Sequence, residues 1–279
     1  MLLFFGKIIR CANMIKMTAK PYSSESPVYF LHIPKTAGST FTNILDQQFP
    51  SGQICPAQLW RDLLRIPEAE LAAYRCFRGH FYAYLEGYLK QPLRCITFLR
   101  DPVERSLSHY AHIYREPGHY FHQRVHEQGD FLTFLRDPVM NPLIINYQTR
   151  ALAIDLDPLA IAYSLSPGEL DSLKLEQILE TTFAQEISDD ELLKRAKNQV
   201  DRCLFVVLME RFDESLSYIA SILHWDYVPQ NIRLNVSNER PQQVNISPKE
   251  KALVLEQTHL DYELYAYARA QSDRYRFSL

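Results

Sequence analysis

Residues 28–41 read VYFLHIPKTAGSTF. Val28–Ile33 follows Pro27 and is apolar or aromatic apart from His32, which predicts a strand. Phe41, Ile44, Leu45 and Gln48 recur at helical spacing, which predicts a helix over Ser39–Gln48. The turn between them holds Lys35, Gly38 and the hydroxyls of Thr36, Ser39 and Thr40. Such a strand–loop–helix suits an anion. The first N–H groups of the helix have no partner within it, and the helix dipole favours negative charge there. An ordinary turn capped by Ser or Thr has a similar composition, so the loop alone leaves its ligand open. It is not a Walker A loop, because its lysine precedes the glycine and no Lys-Ser/Thr pair follows.

Outward from this loop, Arg94–Leu99 and Cys203–Met209 are further nearly continuous apolar runs, and Tyr74–Arg78 is a weaker one. Runs without alternation fit strands covered on both faces. Helical patterns follow at Val103–Tyr114 and Phe212–Leu223. A last helix opens with the capping box Ser247-Pro248-Lys249-Glu250 and runs on through LVLEQTHLDYELYAYARA. Strands alternating with helices predict an α/β, P-loop-like three-layer fold with a central parallel sheet flanked by helices. The stretch from about 115 to 191 lacks a strong strand and reads as a helical insertion. No Gly-, Ser- or Pro-rich linker divides the chain, so residues 27–279 are expected to form one domain behind a flexible segment 1–26. The apolar start is broken by Lys7 and Arg10, too soon for a transmembrane anchor.

Bulk composition narrows the partners. Of 279 residues, 47% are hydrophobic and 23% charged, with a net charge of −3, which argues against nucleic acid and requires any anion site to be locally basic. The five cysteines are scattered without a C-x-x-C pair, which argues against structural zinc and for a reducing, cytoplasmic setting.

A second anion site is readable in ITFLRDPVERSLSHY, residues 96–110. The strand ends at Arg100, Asp101 suits an N-cap and Pro102 the first helical position. Arg100 then stands at the carboxyl end of a strand, where open α/β sheets bind ligands, and Ser108 lies about two turns along the helix. The heptapeptide TFLRDPV recurs at Thr133–Val139 with different flanks. There Asp130–Leu135 reads as a short capped helix that ends before Pro138, and Arg136 is expected to be expendable.

The segment HIPKTAGSTF resembles the phosphosulfate-binding loop of Golgi-type carbohydrate sulfotransferases, in particular the heparan sulfate 2-O- and 6-O-sulfotransferases and their bacterial relatives. The resemblance implies a sulfate donor, 3′-phosphoadenosine 5′-phosphosulfate (PAPS), whose 5′-phosphosulfate is cradled by Lys35, Thr36, Ala37, Gly38, Ser39 and Thr40. The family's Arg and Ser, eight residues apart, which take the 3′-phosphate, correspond to Arg100 and Ser108. Its Gly-His segment corresponds to Arg78-Gly79-His80-Phe81, which makes His80 the expected general base, with His32 as the alternative base or a substrate contact, and Arg78 another substrate contact. Lys35 is the expected partner of the leaving oxygen, and the chemistry asks for no metal. Asn146, Gln148 and Arg150 resemble an acceptor-binding segment, and Arg233 and Ser237 lie where the family has a loop over the nucleotide. The implied partner is a hydroxyl-bearing acceptor, a glycan or glycoconjugate, although no strongly basic groove for a heparan-like chain is evident. Five of the nine histidines fall within 109–126 and read as a polar segment beside the pocket rather than a metal site. A P-loop-type kinase or nucleotide hydrolase, or a non-catalytic nucleotide-binding module, are the alternatives.

Overall fold

A computed structural model of the chain describes residues 22–153, 158–181, 187–226 and 246–276. Its centre is a parallel sheet of four strands, β1 (Val28–Leu31), β2 (Cys76–Gly79), β3 (Arg94–Leu99) and β4 (Phe205–Leu208), in the order β2-β1-β3-β4. Val28 pairs with Cys76 on one side and Arg94 on the other, and Ile96 pairs with Phe205. The strands are short and apolar because helices cover both faces. Val28, Phe30, Ile96, Phe98 and Val207 pack with Phe41, Ile44 and Leu45 of the Gly38–Asp46 helix and with Leu216 and Ile219 of the Phe212–Leu223 helix. On the other face Tyr29, Leu31, Phe77, Cys95 and Leu99 share a core with Tyr147 and Ala151 of the Tyr147–Ala153 helix and Ala196 and Val200 of the Asp189–Arg202 helix. Residues alternate between the two cores along each strand, as the pleat requires.

The strand order locates the site. After β1 the chain crosses to β2 on one side, and after β3 it crosses to β4 on the other. The connections leaving β1 and β3 therefore diverge and open a crevice at the carboxyl ends of these neighbours. The loop of residues 34–37, expected to hold an anion, leaves β1 at this point, and Arg100 directly follows β3.

The insertion is helical as expected, with no strand among its described residues. The predicted final helix is two helices, Pro248–Gln257 and His259–Arg276, parted at Thr258 (φ −120°). Asn146 clamps the break. Its N–H donates to Gln257 O (2.9 Å) and its Oδ1 accepts from Leu260 N–H (3.0 Å). Asp261, just past the break, is buried and caps the Tyr147–Ala153 helix, accepting from Gln148 N–H, Thr149 N–H and Thr149 Oγ1. The helical pattern runs through Thr258 because every residue there suits a helix, and the partner that clamps the break, Asn146, lies 114 residues before Leu260 in sequence.

Cys55, Cys76, Cys95 and Cys203 are buried and form no disulfide among the described residues, and Cys11 lies outside them. No helix among the described residues is long and apolar enough to cross a membrane.

Candidate active site

The loop after β1 turns through two non-glycine residues in the left-handed region, Lys35 (φ 73°) and Ala37 (φ 72°). Such conformations are held only where the surroundings over-determine them. Their effect is to present backbone at the start of the Gly38–Asp46 helix. Ala37 is its N-cap, no side chain caps it, and its first turn carries no acidic residue. The positive end of this helix dipole therefore stands uncapped in the cleft. Lys35, Ala37, Gly38, Ser39 and Thr40 all line that cleft. The hydroxyl of Thr36 does not, since Thr36 is fully buried and donates to Ile33 O (2.8 Å), holding the turn itself. Burial lowers the Lys35 pKa to about 8, with the charges of Arg115, Arg100 and Arg105 adding to the shift.

Arg100 joins this loop to the end of β3. Its guanidinium donates to Lys35 O (3.2 Å) and pairs with Glu104 (3.2 Å). Its backbone is fixed separately, because Arg100 N–H donates to Gln148 Oε1 (3.0 Å) and Gln148 Nε2 donates to Arg100 O (2.9 Å). Asp101 Oδ1 accepts from Val103 N–H and Glu104 N–H (3.0 Å each) and starts the Pro102–Arg115 helix, which carries Ser108 onto the cleft.

His80 follows β2 and enters the same cleft. Gly79 before it permits a close approach, since a Cβ there would lie 2.3 Å from Gln58 O. His80 N–H donates to that same carbonyl (2.9 Å), which fixes the turn. His80 Nδ1 donates to His32 O (2.9 Å). A carbonyl can only accept, so in the neutral ring the proton is on Nδ1 and Nε2 keeps its lone pair. Burial lowers the His80 pKa below 6.5, while Glu180 and the bond to His32 act in the opposite direction. His32 is also pushed well below 6.5, by burial and then by His80 and Lys35. Its ring stacks on Phe30 (5.2 Å) and on His80 (4.4 Å).

The whole cleft has a volume of 2020 Å³. Its far wall holds a feature that sequence reading missed. Glu180, on the Lys174–Thr181 helix, accepts the hydroxyls of Tyr147 (3.0 Å), Tyr82 (3.2 Å) and Tyr120. No spacing rule marks Glu180, because its partners come from three distant segments. His112 and His119 also line the cleft, and burial lowers both to about 4. The histidines of 109–126 pair with one another and with tyrosines, and no group of three or more potential metal ligands occurs among the described residues.

Four residues expected to meet the acceptor are not brought to the cleft. Arg78 is buried, ion-paired with Asp46 and donating to Cys55 O (2.8 Å). Asn146 clamps the broken helix, Gln148 holds the Arg100 backbone, and Arg150 is buried over Tyr147, donating to Pro142 O. Each has its polar atoms turned toward the protein's own backbone or charge. His32 remains at the cleft. Arg233 and Ser237 lie outside the described residues.

Residues 22–153 match the model of the Sulfotransferase family. No curated protein matches the chain. A crystal structure of a sulfotransferase from Alicyclobacillus acidocaldarius is similar at 16% identity and a TM-score of 0.44, over 88% of this chain and 95% of that one.

Proposed function

We propose, from the match of residues 22–153 to the sulfotransferase family model, that this chain transfers the sulfuryl group of PAPS to a hydroxyl of a carbohydrate acceptor, with His80 as general base. The observation that carries the reading is the meeting, at the β1/β3 crevice, of Lys35, the uncapped N-terminus of the Gly38–Asp46 helix and Arg100, which donates to Lys35 O, with His80 on the same cleft. PAPS is anionic at both ends, at its 5′-phosphosulfate and its 3′-phosphate, and it supplies an electrophilic sulfuryl group on a phosphate leaving group. Lys35 and the N–H groups from Gly38 to Thr40 would hold the 5′ end, and Arg100 with Ser108 the 3′-phosphate. His80 Nε2 takes the acceptor proton. The Lys35 ammonium meets the charge that grows on the leaving oxygen, in a site where burial strengthens the interaction. Tyr120, which lines the cleft, suits the apolar face of a sugar ring.

Calorimetry separates this reading from a kinase or nucleotide hydrolase. Binding of 3′,5′-ADP without magnesium is expected, with weaker binding of ATP–magnesium. The reverse order would sink the proposal, and transfer from labelled PAPS to glycans is its direct test.

Gly38 offers a sharper check on the loop. A Cβ there would lie 1.8 Å from His32 Nε2, and the His32 ring is stacked on both Phe30 and His80. Gly38→Ala must therefore displace the ring or the helix N-terminus. Overpacking of this kind costs about 1–3 kcal/mol, and 3′,5′-ADP affinity should fall by about tenfold or more. Unchanged affinity and stability would show that the ring is not held as described.

A further inference from the structure

The class of acceptor follows from where the cations of the cleft stand. The cations that line it are Lys35, Arg100, Arg115, Arg211 and Lys251. Arg100 and Arg115 act on Lys35, and so belong with the phosphate loop. The wall built by residues 116–120 and 173–180 places no lysine or arginine of its own on the cleft among the described residues, and Arg115 adjoins it. It presents Glu116, Glu176 and Glu180, whereas the carboxylates Asp101, Glu104, Glu210, Asp213 and Glu214 lie on segments that also bring Arg100 or Arg211 to the cleft.

Two of these carboxyl groups, Glu176 and Glu180, are held in place by hydrogen bonds from other segments. Glu180 accepts three tyrosine hydroxyls from Tyr82, Tyr120 and Tyr147. Glu116 Oε1 accepts from Gly118 N–H (3.3 Å). Glu176 is 8% exposed; Oε1 accepts from Arg61 N–H (3.0 Å), while Oε2 has no hydrogen-bond partner among the described residues. Tyr120 and His119 line the cleft with them, their rings stacked at 4.3 Å. The wall thus offers acceptor atoms and aromatic faces, and no cation.

We propose that this wall selects an uncharged hydroxylic acceptor, a neutral glycan, and rejects one that carries carboxylates or sulfates beside the hydroxyl presented to His80. The inference rests on the sulfotransferase reading given above. A neutral sugar can donate hydroxyls to carboxylate and imidazole and lay its C–H face on Tyr120. A uronate or sulfated chain would set its charges against Glu116, Glu176 and Glu180, with no lysine or arginine supplied by residues 116–120 and 173–180 to meet them.

The test uses the full chain and labelled PAPS, with a glucose oligosaccharide and a glucuronate oligosaccharide of equal length and linkage. At low salt kcat/KM should favour the glucose chain by at least about tenfold, and the gap should narrow as salt rises. In the double variant Glu116→Gln, Glu180→Gln, which keeps the side-chain shapes, the gap should shrink by about threefold or more. Equal or faster transfer to the glucuronate chain overturns the proposal, as does an unchanged gap in the variant. Calorimetry with 3′,5′-ADP on the same preparations distinguishes the two levels. Failure to bind 3′,5′-ADP strikes the donor reading, whereas binding together with a preference for glucuronate strikes only the acceptor inference.

Discussion

Replacement of His80 by alanine is expected to lower sulfuryl transfer by ~10²–10⁴-fold and to leave 3′,5′-ADP affinity within about twofold. The split follows from where the ring sits. His80 lies beyond β2, while the groups proposed to hold the nucleotide lie after β1 and β3. Its Nδ1 proton is committed to His32 O, so the lone pair that can take a proton is on Nε2. The pH profile tests the same assignment. A histidine pKa below 6.5 means that the neutral, basic form prevails at and above that pH, so the acid limb of kcat/KM should lie below 6.5. Lys35 must carry its proton to meet the phosphosulfate, and its pKa of about 8 places an alkaline limb near that pH in the free enzyme. Transfer by His80→Ala near the parent rate would move the base to His32 or elsewhere, and an acid limb above 6.5 would count against both histidines, since both are lowered.

The parts of this site that the sequence discloses are those built from consecutive residues. The loop 34–40, the Asp101 cap and the ends of β1 and β3 each obey a local rule of turn, cap or strand, and the sheet order then brings them together. The Phe212–Leu223 helix and β3 have the predicted bounds for the same reason. What escaped depends on partners far away in the chain. Asn146, Gln148 and Arg150 look like ligands in sequence because they are polar and adjacent. Their partners, at Gln257 and Leu260, at Arg100 and at Pro142, turn them into structural clamps. Arg78 is taken by Asp46, 32 residues earlier. Glu180 is the converse case: an unremarkable glutamate until tyrosines from three segments converge on it. A polar residue in a pocket and one in a clamp have the same sequence signature, since both need a polar atom and only the fold decides what it meets.

The twin heptapeptides provide the second large contrast. Arg100→Ala should weaken 3′,5′-ADP binding by about tenfold to 150-fold, the worth of a hydrogen bond to a charged group, whereas Arg136→Ala should change it by less than about twofold. The same residues, TFLRDPV, are put to different use by their flanks. The first copy is fed by β3, so Arg100 is carried to the crevice, only 16% exposed, against Lys35 O. Asp101 there caps the helix that bears Ser108. The second copy is the Phe131–Arg136 helix, started by Asp130, which buries Phe131, Phe134 and Leu135 and leaves Arg136 exposed. Its aspartate accepts from Arg124 and Gln128 rather than capping a helix, and those bonds help hold the Asp137 pKa down to about 2. Loss of the Arg100 side chain should not loosen the end of β3, because Gln148 holds the Arg100 backbone and not its guanidinium. A fall in affinity therefore reports the lost charge rather than a collapsed strand end, and equal effects in the two variants would refute the 3′-phosphate assignment.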